Sequence, residues 1–152
     1  MNRGLHGSVG VSAGWSDPTS FLDIAPEAGI SYRLDSQNSF GITGQLLLPV
    51  YEPEPSIQQR QSYYMLNLFL TYTPDFSDVP QTLYMHYKAG LADISSHPGP
   101  HLGSEFGYRF LLGNKLPLRI GASLDWNRIL FGVHGENRKN AFFAGLVARL
   151  EW

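Results

Sequence analysis

Nine side chains of this chain could form a network of acids and bases: Glu27, Arg33, His86, Lys88, Glu105, Arg109, Arg119, Asp125 and Arg149. Both signs are present, which suits mutual pairing in a place that water does not reach. Histidine supplies the other chemistry. His97 and His101 bracket a Pro-Gly-Pro, and His134 lies in another Gly-containing segment with Glu136 close by. Three imidazoles and a carboxylate are a ligand set for zinc or copper. Histidines in polar connections are more often merely solvated, so no metal site is expected. Ser95 and Ser96 precede His97, but a serine beside a histidine in a Pro-Gly loop co-occurs by chance, and no catalytic residue is assigned. There is no cysteine, hence no disulfide framework and no thiolate site. Phosphate-loop, EF-hand and zinc-finger spacings are missing from the sequence, and no cofactor is expected.

What must position the nine charges is a rhythm that recurs eight times. Segments near 5–16, 22–35, 39–51, 61–73, 81–93, 101–112, 116–128 and 140–152 alternate residue by residue, the signature of strands with one apolar and one polar face. The apolar phase reads, for example, Tyr64, Leu66, Leu68, Leu70, Tyr72, and it carries no charge through the middle of any segment. The opposite phase mixes Gly and Ser with isolated charges of both signs, all nine of the network residues among them, and with a few large residues such as Tyr63, Phe69 and Phe143. The joints between segments are turns of Asp, Asn, Gly and Pro type. With 152 residues the chain is read as a single domain spanning 1–152. Its net charge of −2 gives no basic footprint for nucleic acid.

Two barrels fit eight amphipathic antiparallel strands. A soluble, lipocalin-like ligand-binding barrel would turn the apolar phase inward; a membrane barrel would turn it outward. The apolar phase is too bulky for an eight-stranded interior, which side chains already fill. A soluble exterior would also be richer in Lys, Glu and Thr than in Gly. Trp15, Tyr32, Tyr64, Tyr72, Tyr108, Trp126 and Trp152 sit toward the ends of the apolar phase, where interfacial girdles belong. The expectation is therefore an all-β, eight-stranded, antiparallel up-and-down transmembrane β-barrel, monomeric, with a salt-bridged polar lumen. Pro26 and Pro49 interrupt strands two and three and imply a bulge or a missing ladder bond.

The last segment, "KNAFFAGLVARLEW", resembles the assembly signal of bacterial outer-membrane proteins, and the whole-chain pattern resembles the small eight-stranded outer-membrane barrels of the OmpA transmembrane domain, OmpX and NspA types. That resemblance implies a bacterial outer-membrane location and recognition of the C-terminal strand by the assembly machinery. It also implies contact with membrane lipid, lipopolysaccharide included. It places both termini and the turns "DSQN", "PDFSDVP" and "GNK" on the periplasmic side, and the connections 16–21, 52–60, 94–100 and 130–138 outside. No signal peptide is expected in "MNRGLHGSVG", which lacks an apolar h-region. Eight-stranded barrels also include a lipid A deacylase, with a His-x-Ser motif, and a lipid A palmitoyltransferase, with Pro-weakened strand contacts. Here Lys88 stands where the serine after His86 should be, whereas Pro26 could serve lateral lipid access or mark an ordinary bulge. The expected role is accordingly non-enzymatic, lipopolysaccharide-interacting or surface-binding, with a lipid A-modifying enzyme as the rival.

Overall fold

The computed structural model describes residues 4–17, 19, 21–51, 64–113, 115–131 and 137–152. Alternating sequence becomes eight strands: β1 (Gly4–Asp17), β2 (Phe21–Arg33), β3 (Asn38–Tyr51), β4 (Met65–Pro74), β5 (Thr82–Ala92), β6 (Gly99–Leu112), β7 (Leu116–Phe131) and β8 (Asn137–Glu151). Each pairs antiparallel with its chain neighbour, and β8 closes on β1, so the sheet has no free edge. Closure ends with Gly7 and Trp152 exchanging both backbone hydrogen bonds at 3.0 Å. The Trp152 indole packs over Gly7, in the space that a Cβ would take.

The register fixes the barrel's shape. Following paired residues once around, from Gly7 through Ile30, Ile42, Leu70, Ala89, Leu102, Trp126 and Phe142, returns to β1 at Asp17, ten residues higher. A shear of this size over eight strands goes with a strand tilt of about 45°. Each step to the next strand thus climbs ten-eighths of a residue, away from the rim that carries the termini and toward the opposite, loop rim. Turn chemistry shapes the terminal rim. The Asp35 carboxylate accepts the backbone N–H of Gln37 at 2.8 Å and of Asn38 at 2.7 Å, and Gly113 adopts a φ of 58° before β7.

Several boundaries differ from the sequence reading. Connection 130–138 is shorter than expected, because β7 continues to Phe131 and β8 begins at Asn137, the polar residues extending the hairpin beyond the apolar band. Residues 61–63, expected to open the fourth strand, and connection 52–60 lie outside the described residues. The β2–β3 register shifts by one between Leu22 and Asp23, opposite Pro49 and Tyr51, and is interrupted between Ile24 and Glu27, beside Pro26. Both prolines thus sit at irregularities of one seam.

The polarity is the reverse of a soluble barrel. Outward positions hold large apolar side chains such as Leu5 (73% exposed), Leu70 (66%) and Leu146 (71%), while Glu105, Arg109 and Arg119 are 1% exposed or less. No helix among the described residues is long and apolar enough to cross a membrane.

Candidate functional site

The lumen is built in layers, because parity chooses the face and register chooses the height. Nearest the terminal rim, the Asp75 carboxylate meets three guanidiniums: Arg33 at 3.3 Å, Arg119 at 2.7 Å, and Arg109. Arg119 also holds Glu151 at 2.7 Å. The Arg109 guanidinium donates further to the carbonyls of Val79 at 2.8 Å and Pro80 at 2.9 Å, tying the β4–β5 turn into the lumen. Asp75 itself comes from that turn and pairs with Tyr84 by an isolated bridge.

The next layer turns on Arg149, which reaches Glu27 at 2.5 Å and Glu105 at 3.0 Å. The Tyr84 hydroxyl donates to Glu105, and its ring lies 4.6 Å beneath the Arg119 guanidinium carbon. Room for this ring comes from Gly121, where a Cβ would meet the Tyr84 hydroxyl. The His86 imidazole sits 2.6 Å from the Thr73 hydroxyl. Above, Lys88 and Asp125 pair at 2.6 Å, and His101 bonds Asp125 at 3.2 Å and Asn127 while stacking on Phe69 with ring centroids 4.1 Å apart. Asn67 donates to Gln45 at 3.1 Å on the opposite wall. Toward the loop rim the lining becomes apolar: Ala25, Leu47, Met65, Ala92, Ile129, Ala141 and Phe143 form one buried cluster.

All nine charged or imidazole residues singled out from the sequence are buried in this lumen. Asp75, Tyr84 and the apolar layer were not singled out. Asp75 falls in a turn, where parity gives no signal, although its position between Pro74 and a long connection was visible. His97 and His101 were considered together as metal ligands; His101 is buried in β6, while His97 is exposed, so the two do not converge. His134 and Glu136 lie outside the described residues. No group of three or more potential metal ligands occurs among the described residues.

The outer face carries the aromatic residues. Tyr32, Tyr72, Tyr108 and Trp152 fall within about three residues of height near the terminal rim, and Trp15, Tyr64 and Trp126 fall near the loop rim. The two sets lie roughly eight residues of height apart, about 20 Å at ~3.3 Å per residue and ~45° tilt. Between them Ser104 of β6 faces outward, but the described histidines of the strands, His6, His86 and His101, have inward parity.

Among solved structures, the chain matches that of Neisserial surface protein A (NspA) with a TM-score of 0.74 at 13% identity, over 99% of this chain and 98% of that one. It matches the outer membrane enzyme PagL with a TM-score of 0.56 at 10% identity, over 93% and 97% of the two chains. For the N-terminal β-barrel domain of Pseudomonas aeruginosa OprF the values are 0.50 and 16%, over 95% and 97%. No protein-family model matches, and no curated protein matches in sequence. What this chain shares with the three structures is the fold, a closed eight-stranded antiparallel barrel of the kind found among outer-membrane proteins.

Proposed function

We propose that this protein is a small integral barrel of a bacterial outer membrane, monomeric and non-enzymatic, that engages membrane lipid, lipopolysaccharide above all, or displays short connections at the surface. The observation that carries the reading is the inverted polarity: an apolar outer face around a lumen of paired charges. In water the apolar outer face would stay exposed, whereas hydrocarbon suits it and closure leaves no free sheet edge. The two aromatic sets support it as girdles, their ~20 Å separation being close to the ~25 Å apolar band of such barrels. The structural likeness to outer-membrane barrels supports it too. On this reading the termini are periplasmic, β8 is the element that the assembly machinery engages, and the lumen is a plug rather than a pore.

The test is refolding with and without detergent micelles, read by far-UV circular dichroism and by heat-modifiable migration on a gel. β-structure and a migration shift are expected only with detergent or lipid. A monodisperse, folded monomer in plain buffer would overturn the proposal.

A further inference from the structure

We infer that the outer face of β6–β8 holds a phosphorylated, acylated lipid of the outer leaflet, with its phosphate on Arg128 and Arg138 and an acyl chain in the groove beneath them. The inference rests on the membrane reading above and locates the lipid contact on the barrel.

The charge comes first. Arg128 is exposed on the outward phase of β7, two residues above Trp126, whose ladder partners are Leu102 on β6 and Phe142 on β8. Arg138 lies on the outward phase of β8 and reaches across β7, its Nη1 donating to the Pro98 carbonyl at 3.0 Å. Arg128 and Arg138, outward residues of neighbouring strands, thus both lie on the loop side of the Trp126–Phe142 pair. Planar guanidinium forks match phosphate oxygens. Asp17, exposed beside Phe142 on β1, bounds the basic cluster on its far side.

Directly below lies the groove. Its upper part, about 260 Å³, is lined by Leu102, Ser104, Leu124, Trp126 and Phe142. Leu102 and Gly103 also line a second, larger hollow beside it, about 530 Å³, walled by Phe40, Leu70, Tyr72 and Tyr87. The hollow exists because Ala89 stands in register between Leu70 and Leu102, a small residue between two large ones. From Arg128 to Tyr87 the drop is six to seven residues of height, about 15 Å. That is one leaflet of a ~30 Å hydrocarbon core. A chain hung from a phosphate at the loop rim thus reaches the larger of the two hollows. Free phosphate would use only the arginines, and a neutral lipid only the groove.

The test uses the refolded barrel in phosphatidylcholine nanodiscs, with bisphosphorylated lipid A, dephosphorylated lipid A and inorganic phosphate as probes. Retained lipid is read by native mass spectrometry after transfer to a neutral detergent. Wild-type protein is expected to retain lipid A at least tenfold over the dephosphorylated form, and millimolar phosphate is expected not to displace it. The double substitution Arg128→Gln with Arg138→Gln should weaken retention roughly thirtyfold, at about one kcal/mol per basic residue near a charged surface. Ala89→Phe, which fills the groove from an outward position, should weaken it about tenfold, and Asp17→Asn should strengthen it. Equal retention of the two lipid A forms, wild-type retention by the arginine variant, or no effect of Ala89→Phe would each overturn the inference. A migration shift run on every sample separates failures: a barrel that folds only in detergent yet fails to discriminate refutes this site alone, whereas one that folds in buffer refutes the membrane reading as well.

Discussion

Asp75 is the residue whose loss should cost this barrel most for one atom changed. Asp75→Asn keeps the shape and removes the charge shared by Arg33, Arg109 and Arg119. Each guanidinium keeps another acceptor: Arg33 the Ser36 carbonyl at 3.1 Å, Arg109 those of Val79 and Pro80, Arg119 the Glu151 carboxylate. The cost is then that of one broken buried pair rather than three, about 3–5 kcal/mol. With a urea dependence of about 2 kcal/mol per molar, the unfolding midpoint should fall by roughly 2 M. The assay is reversible urea unfolding in micelles, followed by tryptophan fluorescence. Asp78→Asn is the control: that carboxylate is exposed, accepts one bond from Ser36 at 2.5 Å, and should change stability by less than about 0.5 kcal/mol. The double mutant Asp75→Asn with Arg109→Gln should cost less than the sum of the two singles by about 0.5–3 kcal/mol. A midpoint for Asp75→Asn no lower than that of the Asp78→Asn control, or strict additivity in the double mutant, would refute the view that this carboxylate organises the terminal end of the lumen.

Two further expectations follow from the same geometry. Phe143 is 3% exposed in the apolar layer and Phe142, its neighbour, is 43% exposed on the outer face. Phe143→Ala should therefore destabilise by about 3–5 kcal/mol through the cavity it leaves, and Phe142→Ala by clearly less, both read from urea midpoints; equal losses would contradict the assigned faces. In planar bilayers the wild-type protein should give no steady open current, because Arg149, bonded to Glu27 and Glu105, spans the lumen, and sustained ohmic conductance would refute the plug.

Strand number, phase and inside-out polarity were legible because side chains alternate with period two and a lipid-facing band tolerates no charge. The lumen's charged set was legible for the same reason: Glu27, Arg149 and the others share the opposite phase from the apolar residues. Height was not legible. Parity says that Leu47, Met65 and Phe143 point inward, but only the register shows that they meet in one layer near the loop rim. Tyr84 was passed over because it looks like one more aromatic in "LYMHY", and only its alternation with Leu83 and Met85 marks it as inward. Asp75 was hidden because turns have no period. The lumen role of His101 was missed because it stood at the edge of a Pro-Gly-Pro that read as loop, although β6 opens at Gly99 and carries Pro100 on its outward face.

The paired charges have a use beyond filling space. A one-residue slip of any strand would turn its apolar face inward and its charges into hydrocarbon, so alternation alone forbids it. A two-residue slip keeps every face correct, and alternation cannot detect it. Here the lumen can. Moving β8 by two residues against β1 and β7 would carry Arg149 away from Glu27 and Glu105, and Glu151 away from Arg119, leaving buried charges without partners. Each orphaned charge costs several kcal/mol, far more than the surface it would expose or hide. The apolar outside therefore selects the membrane and the phase, while the ion pairs select among registers of equal phase. The pairs accordingly tie different strands together: Lys88 of β5 to Asp125 of β7, Arg119 of β7 to Glu151 of β8, and Arg149 of β8 to both Glu105 of β6 and Glu27 of β2.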